Sequence, residues 1–259
     1  MDELMGIEGN RFYVLLFIIF FRYVFLASIA FLIFYYIGKK AWSFKKIQEK
    51  FPLVKDYQRE FLYSVSTSVI FAVLGYFFFF GPLAEYTFIY KDIHAYSLTY
   101  FFFSVALTLV IHDTYFYGTH RLMHHPGVYK YFHKVHHLST NPSPWAAMAF
   151  HPLEAVVEFG VIAIIPFLYP IHPLAIALFL LIMMAYNVYG HLGFELYPKG
   201  FSQRSVGKWI NTSVNHNQHH QYFKGNYGLY FLWWDRWMGT LREDYNEEFE
   251  EVKGRGVGS

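Results

Sequence analysis

Long apolar runs separated by short polar stretches dominate the hydropathy pattern of this chain. The runs at residues 12–37, 61–80 and 96–111 each predict a membrane-crossing helix, which needs about 20 mostly apolar residues. Two more runs, at 155–168 and 174–189, flank a Tyr-Pro-Ile-His-Pro turn. At about 1.5 Å per residue the first of these is short, so the pair predicts a hairpin that crosses completely or only partway. The pattern indicates an all-α integral membrane protein with four or five membrane helices.

Charged residues within and between these runs predict the orientation. Arg22 lies inside the first run, where a charge costs roughly 2.5 to 3.5 kcal/mol, so we expect it to snorkel to the interface or to face protein. The positive-inside rule places the next stretch in the cytoplasm because it carries five lysines, Lys39, Lys40, Lys45, Lys46 and Lys50. By parity, the third crossing and the hairpin return to the same side. We therefore expect a cytoplasmic helical cap, within one domain over residues 1–259.

Composition supports a membrane protein and narrows its chemistry. Hydrophobic residues make up 55% of the chain and charged residues 15%, and the mean hydropathy is +0.22. A formal net charge of +2 argues against a nucleic-acid partner. The sequence contains no cysteine, which excludes disulfides, Fe–S clusters and thiolate zinc sites. Any bound metal must therefore be held by nitrogen and oxygen.

Eight histidines fall into three short groups, or boxes. These are His120 and His124; His133, His136 and His137; and His216, His219 and His220. Residues three or four apart share a face of an α-helix, so each box is expected to aim its imidazoles at a single point. Imidazole suits iron, zinc, copper and nickel, and four histidines are ample for one zinc ion. Eight exceed the needs of one ion, so we infer a dinuclear metal site in the cap.

Residues near the boxes are candidates for additional ligands or for hydrogen bonds to them. Asn187 and His191 repeat the i, i+4 spacing; His191 is expected to be a ligand, whereas an amide oxygen at Asn187 is a weak one. Asp113 lies on the helical face of His120 and can accept a ring N–H, as metal-bound histidines usually require. His151, next to Pro152, is expected to border the site. Glu154 and Asp235 are further candidate acceptors.

The other histidines are expected to lie outside the metal site, and the sequence lacks several common catalytic motifs. His125 is expected to be solvated, His112 to lie at the membrane boundary, and His172 in the distal hairpin turn. Phosphate-binding glycine loops, a serine elbow and HExxH are absent from the sequence, which removes nucleotide, hydrolase and metalloprotease motifs. The His-Pro-Gly between the first two boxes lacks the second glycine of a haem motif, so no haem is expected.

In order, the three boxes read HRLMH, HKVHH and HNQHH, and the phrases PSPWAAMAFHPLE and NYGLYFLWWDRWMGT lie between and after them. This combination resembles the sterol desaturase and fatty acid hydroxylase superfamily, most closely the sterol C-5 desaturases and their bacterial relatives. The resemblance covers residues 96–240. Several relatives carry a histidine four residues before the position of His191, where this chain has Asn187, which puts a tenth ligand in doubt.

The resemblance implies a membrane-embedded di-iron enzyme that hydroxylates or desaturates a lipid, with zinc as a substitute metal. It assigns all eight box histidines and His191 as ligands, and no catalytic residue beyond them. O₂ and an electron donor on a separate protein would be its partners, with a sterol, fatty acyl chain or related lipid as substrate. Trp145, Phe150 and Tyr117 are candidates for the substrate path, although packing is the stronger explanation in so aromatic a chain.

Two other functions remain open at this point. A membrane protein for metal storage or transport would also need histidines, but transport normally requires ionisable residues along the membrane path, and these crossings carry almost no charge. A zinc-dependent lipid hydrolase would need an open metal position and a general base. Such a hydrolase would work without oxygen, whereas the oxygenase would not.

Overall fold

The computed structural model describes residues 2–256, and the side chains of residues 10–256. Within that range the chain is helical and contains no strand, only isolated bridges between loops. The helices are α1 (Asp2–Phe31), α2 (Val54–Phe80), α3 (Leu98–Met123), α4 (Pro126–Phe132), α5 (Pro152–Ile164), α6 (Pro173–Gly190), α7 (Ser213–Tyr222), α8 (Trp233–Trp237) and α9 (Tyr245–Gly254). The predicted all-α class is confirmed.

Four of the described helices are long and apolar enough to cross a membrane. They are Asn10–Ile37, in which α1 continues through the π-helical turns Leu32–Ile37, together with α2, α3 and α6. Their outer faces carry exposed aromatic side chains, such as the stacked Phe17, Phe21 and Phe25 of α1, as expected of a surface in contact with lipid.

The helix that contains the predicted third crossing continues beyond residue 111. α3 runs without a break from Leu98 to Met123 and carries Asp113 and, on its last turns, His120, as the shared helical face of these two residues predicts. No proline interrupts the helix, and its polar residues His112, Asp113 and His120 are buried inside the protein. The first histidine box is therefore a direct extension of a membrane helix.

The hairpin of α5 and α6 has unequal arms. At about 1.5 Å per residue α5 is roughly 20 Å long, short of the roughly 30 Å hydrocarbon core. Both helices begin at a His-Pro pair, in which His151 or His172 accepts a hydrogen bond from the backbone N–H two residues later. The turn between them meets the loop from α2 to α3, since Tyr90 N donates to Ile171 O and Phe88 N to Pro166 O. The hairpin thus extends as far as that loop.

A short helical turn, Pro144–Met148, is inserted among the membrane helices and links them to the cap. It contacts α1, α2 and α6, and Ala146 and Ala147 within it are completely buried. Tyr23 and Ser64 both donate to Trp145 O, at 2.9 and 3.1 Å. This turn fixes the chain that leads from the second histidine box into α5.

The cap is closed by the C-terminal helix α9. The stretch after Asp244 is acidic and then glycine-rich, a composition that predicts a frayed tail, but this expectation is wrong for Tyr245–Gly254. Tyr245, Phe249 and Val252 recur at helical spacing and bury one face of α9. Residues 257–259 lie outside the described range. Arg255 donates to the carbonyls of Lys46 and Ile47, so the lysine-rich loop packs on the same side as the cap.

Candidate metal centre

Nine histidines from four separate parts of the chain meet beneath the cap. The structure places them in two groups. Within each group, one ring nitrogen from every histidine lies within 4.8 Å of those of the other members. The five-histidine cluster contains His120, His124, His133, His137 and His219, and the four-histidine cluster contains His136, His191, His216 and His220. All eight box histidines and His191 are thus brought together as the sequence predicts, and all but His124 are buried.

The clusters do not coincide with the boxes. The expectation that each box aims at a single point is wrong for the second and third boxes. Adjacent side chains diverge, so His136 and His137 enter different clusters, as do His219 and His220. The second box is also not α-helical, because His133 follows the last residue of α4 and His136–Leu138 forms a 3₁₀ turn.

Distances between ring nitrogens match the edges of metal coordination polyhedra. In the four-histidine cluster the Nε2 atom of His191 lies 3.0 Å from that of His216 and 3.2 Å from that of His220. In the other cluster, His124 Nε2 lies 3.0 Å from His137 Nε2 and 3.1 Å from His219 Nε2. With metal–nitrogen bonds of about 2.0–2.1 Å, neighbouring ligands stand about 2.9 Å apart in an octahedron and about 3.3 Å apart in a tetrahedron.

Hydrogen bonds on the far side of the rings fix which nitrogen is free. A carbonyl can only accept, so each Nδ1 that contacts one must carry the proton and leave Nε2 with a lone pair. Such bonds join His120 to Tyr227 O (2.9 Å), His191 to Asn187 O (2.7 Å), His219 to Gly225 O (2.8 Å) and His220 to Ser139 O (2.9 Å). The buried Nε2 atoms of His120 and His133 have no hydrogen-bond partner. Free lone pairs converging on a point fit a bound cation.

The electrostatic environment keeps these rings neutral. Burial, reinforced by neighbouring imidazoles, lowers the pKa well below its ordinary range for His133, His136, His137, His216, His219 and His220. Burial also lowers the pKa of His191 to about 4 and that of His124 to about 2. Because a metal ligand must be unprotonated, both clusters are ready to bind cations at neutral pH.

Glu154 makes the shortest contact to the centre. Its Oε1 lies 2.6 Å from His133 Nδ1, and both side chains are almost completely buried. The other oxygen accepts from His151 N, so the carboxylate also forms part of the start of α5. Glu154 therefore holds the His133 ring with Nε2 turned toward the five-histidine cluster.

The remaining site candidates lie around the clusters. Asp113 does not contact His120; its carboxylate accepts from Tyr230 N, Phe231 N and Trp233 Nε1 and so fixes the segment that carries Tyr227. Asp235 accepts from Tyr227 N and Gly228 N in the same segment.

His151 caps α5 at its start. Asn187 acts on His191 through its backbone carbonyl, and its side chain lines a cavity below the cluster.

The remaining histidines and the aromatic candidates for the substrate path lie outside the two clusters. His125 is exposed and caps α4, and His172 lies in the distal turn with its ring against Lys91 O. His112 is buried inside the protein, with Nδ1 2.8 Å from the Tyr230 hydroxyl. Of the candidates for the substrate path, Phe150 lines the cavity, whereas Trp145 and Tyr117 pack among aromatic side chains.

Sequence reasoning missed the backbone carbonyls that orient the rings. Gly225 O, which accepts from His219, belongs to a turn after α7 in which Phe223, Gly225 and Asn226 all have positive φ. At Gly225 a Cβ atom would lie 2.7 Å from Thr240 O, so a glycine is required there. The Gly-Asn pair was a visible turn signal, but its distance from the boxes gave no hint of its target.

The sequence is similar to those of known proteins over the part of the chain that carries the histidines. The sequence model of the fatty acid hydroxylase family matches residues 105–240, more than half of the chain. The Delta(7)-sterol 5(6)-desaturase ERG3B of Gibberella zeae is 33% identical over 165 residues, covering 64% of this chain and 50% of that protein. Lathosterol oxidase of Homo sapiens is 29% identical over 192 residues, covering 73% of this chain and 62% of that protein. This chain therefore spans one half to less than two thirds of the length of these relatives.

No solved structure matches the chain. The family match begins within α3 and ends just after α8, and so contains every histidine of the two clusters, while α1 and α2 lie outside it. The match confirms the resemblance carried by the three boxes. The chain belongs to the fatty acid hydroxylase family, within the sterol desaturase and fatty acid hydroxylase superfamily.

Proposed function

We propose that this protein is an O₂-dependent di-iron oxygenase that hydroxylates or desaturates a membrane lipid, and that the nine clustered histidines are its metal ligands. The observation that carries the proposal is the pair of adjacent all-histidine clusters at the end of a membrane helix. Five rings in one cluster and four in the other can hold one ion each. Relatives that are named as a desaturase and an oxidase support an oxidative reaction.

Iron is favoured over zinc by the chemistry required. Zinc binds imidazole well but has no redox chemistry, so it can fill the clusters without supporting an oxidation. When bound, the irons would supply O₂ activation and the oxidation of an unactivated C–H bond. An electron donor on a separate protein would deliver the electron pair that this reaction needs. One oxygen atom would enter the lipid or, in desaturation, both would leave as water.

The protein itself positions the metal ligands and excludes bulk water from the site. Backbone carbonyls and Glu154 hold five of the nine rings in one tautomer, so their ligand nitrogens need little reorganisation to accept the ions; these are His120, His133, His191, His219 and His220. Burial keeps the clusters away from bulk water, which protects reactive species from side reactions. Phe150 lies between His136 of the four-histidine cluster and an apolar cavity among the membrane helices, and this is the side from which a lipid carbon would approach.

We also propose that the clusters face the cytoplasm. The support is that the lysine-rich loop after α1 packs against the cap, through Arg255 and through a bond from Gln48 Nε2 to Asn217 Oδ1. Lysine-rich loops are retained on the cytoplasmic side.

Metal analysis and comparative lipid mass spectrometry test the proposal together. Protein purified from cells grown in air is expected to carry about two irons per chain, as a dinuclear site requires. Cells that express it are expected to contain an oxidised lipid that is missing from cells expressing His136→Ala. A lipid change that persists without oxygen would instead support the zinc hydrolase. Unchanged lipids with altered cellular iron or zinc would support metal storage or transport.

A further inference from the structure

Phe223 covers one of the candidate metal ligands at the surface of the cap. Its ring is 39% exposed and packs on His137 of the five-histidine cluster, with ring centroids 5.2 Å apart. Tyr129 lies beside Phe223 and contacts His124, which is the one partly exposed histidine among the nine. A single layer of aromatic side chains therefore separates solvent from this cluster.

The backbone of Phe223 has a conformation that phenylalanine rarely adopts. Its φ of +64° lies in the left-handed region, where glycine is the common residue at the end of a helix. Residues strained in this way persist where the surrounding structure holds them, and they concentrate at functional sites. Glycine would suit the end of α7 better, yet the chain places here a large ring that reaches a metal ligand. The ring is therefore a candidate for a role beyond ending α7.

Positive charge surrounds these two aromatic rings. One lysine follows each ring directly in the chain, and Lys134 donates its backbone N–H to Tyr129 O. The three lysines are exposed, and among the side chains of residues 10–256 none of them forms an ion pair. Residues 114–153, which contain the first two boxes, include no aspartate or glutamate. We call this surface the basic face; it consists of Tyr129, Lys130, Lys134, Phe223 and Lys224.

An acidic groove borders the basic face. Tyr222 precedes Phe223 and lines a groove together with carboxylates of α9, among them Glu247, Glu248 and Glu251. A partner with an acidic surface is attracted to the lysines and repelled by this groove. The two neighbouring surfaces therefore select the charge of a partner and also its orientation over Phe223.

We propose that the basic face is the docking surface of the electron donor, a one-electron redox protein with an acidic surface. The inference rests on the proposed function, because an oxidation at the clusters is what requires external electrons. Each docking transfers one electron from the donor, which is oxidised, to a ferric ion in the five-histidine cluster, which is reduced. Two dockings supply the electron pair. Phe150 contacts the other cluster, at His136, so the donor and the lipid approach different clusters.

The contact between Phe223 and His137 favours a protein over an anionic lipid as the partner. Lysines alone would suit either one. Electron transfer falls steeply with distance, so a donor gains from an exposed ring that touches a metal ligand, whereas a lipid headgroup does not. In addition, α3 has 26 residues and is about 39 Å long, which exceeds the roughly 30 Å hydrocarbon core. Its last turn, which leads to His124, therefore extends beyond the core.

Binding to the iron-loaded protein in detergent, followed by its reduction, tests the proposal. The probe is a reduced plant-type ferredoxin, a small acidic one-electron carrier, and the control probe is the same ferredoxin with its surface carboxylates amidated. The acidic form is expected to bind about tenfold more tightly, with an association rate that falls as salt is added. Anaerobic stopped-flow absorbance measures how fast the bound ferredoxin is reoxidised.

A variant with reversed charges tests the surface itself. Lys130→Glu, Lys134→Glu and Lys224→Glu together are expected to weaken ferredoxin binding and to slow its reoxidation about 10- to 100-fold. The comparison is made at about 0.1 M ionic strength, where exposed charges more than about 10 Å apart are largely screened. Reduction by dithionite, a small chemical reductant, should be unchanged in this variant.

Two further variants separate docking from net charge and from folding. Lys50→Glu, Lys199→Glu and Lys208→Glu together change the net charge equally at exposed positions elsewhere, and this variant should behave like the unmodified protein. Phe223→Gly removes the exposed ring and suits the positive φ, so the turn is expected to keep its shape while ferredoxin binding weakens about 5- to 30-fold.

The outcomes separate the docking surface from the proposed function. Equal binding of the acidic and amidated ferredoxins, or reduction by dithionite but never by ferredoxin, would overturn the docking surface alone. So would unchanged binding in the variant that reverses the basic face. Charge-dependent binding without reduction by either reagent would overturn the oxidative function and leave the surface standing. In nanodiscs, a Tm raised by phosphatidylserine only when the three lysines are present, with ferredoxin binding independent of them, would assign the face to lipid and overturn the proposal.

Discussion

His191 and His220 face each other across the four-histidine cluster with their Nε2 atoms 3.2 Å apart. Each ring donates its Nδ1 proton to a backbone carbonyl, of Asn187 and Ser139 respectively. In the neutral state both Nε2 atoms therefore present lone pairs to each other, and no hydrogen bond can join them. The arrangement is repulsive without a cation and favourable with one.

Removal of metal is expected to destabilise the protein. An ion present at 1,000 times its dissociation constant stabilises the folded state by about 4 kcal/mol, which corresponds to a Tm shift of about 10 °C for a chain of this size. Differential scanning fluorimetry before and after chelation measures the loss, and added ferrous iron should restore the original Tm. An unchanged Tm after complete removal of metal would show that the clusters are stable without ions.

Variants of neighbouring histidines are expected to affect different ions. His219 belongs to the five-histidine cluster and His220 to the four-histidine cluster. His219→Ala and His220→Ala should each lower iron content from about two to about one per chain, and the double variant should hold almost none. Metal analysis by mass spectrometry checks the counts, with the solvent-exposed His125→Ala as control. Loss of both ions from each single variant would mean that the clusters bind cooperatively as one unit.

Glu154 is expected to matter for metal affinity although it is not itself a predicted ligand. Glu154→Ala removes the acceptor of the His133 ring proton and should weaken iron binding about 10- to 100-fold. Glu154→Gln retains an acceptor oxygen, so its affinity for iron should lie between that of the unmodified protein and that of Glu154→Ala. Competition with a chelator of known affinity gives the values. Glu251→Gln, at an exposed carboxylate, is the matched control and should have no effect.

The buried Lys46 predicts a pH dependence that is independent of the metal centre. Its Nζ lies 3.3 Å from Asn141 Oδ1 among the rings of Tyr35, Phe51 and Phe194, and burial lowers its pKa from 10.5 to about 7. Between these values an unfolded chain keeps the Lys46 proton that the folded state loses, so the contribution of Lys46 makes the free energy of unfolding rise as pH increases from about 7 to 10.5. Burial raises the pKa of Tyr230 and Tyr245, so these side chains oppose the rise near pH 10, and the Lys46 effect is clearest between about pH 7 and 9.

Lys46→Met is expected to remove that contribution and to stabilise the protein at pH 7, because burial disfavours the charged lysine and methionine carries no charge. Thermal unfolding measured across the pH range provides the comparison. Lys50→Met, at an exposed lysine, should keep the slope of the unmodified protein. A slope that survives in Lys46→Met would assign it to another group.

Much of the architecture was predictable because membrane crossings leave a strong local signal. Three crossings and a hairpin follow from apolar runs alone, and the His-Pro pairs mark the starts of α5 and α6. The partners of His112 and Asp113 could not be predicted, because Tyr230 and Trp233 reach them from a distant segment of the chain. Hydropathy cannot detect a polar residue that tertiary contacts have paired.

The histidines that form the site could be predicted from the sequence, but their division between the two clusters could not. Box spacing shows which histidines share a turn, and it led to the nine residues that meet in the structure. Which ion each ring faces depends on how α3, α6 and α7 approach one another, and this is a tertiary property. His136 and His137 illustrate the limit, because no local pattern says that two adjacent histidines serve separate clusters.

The distances along the chain between clustered histidines have a consequence for unfolding. His124 and His219 are 95 residues apart, and His136 and His191 are 55 residues apart. An ion bound in each cluster would act as a cross-link closing these loops, and for a disulfide a loop of about 100 residues gives about 4.7 kcal/mol in the chain-entropy treatment. In a chain without cysteine, the two ions would thus take the structural part that disulfides play elsewhere, and the cap would open only after they had dissociated.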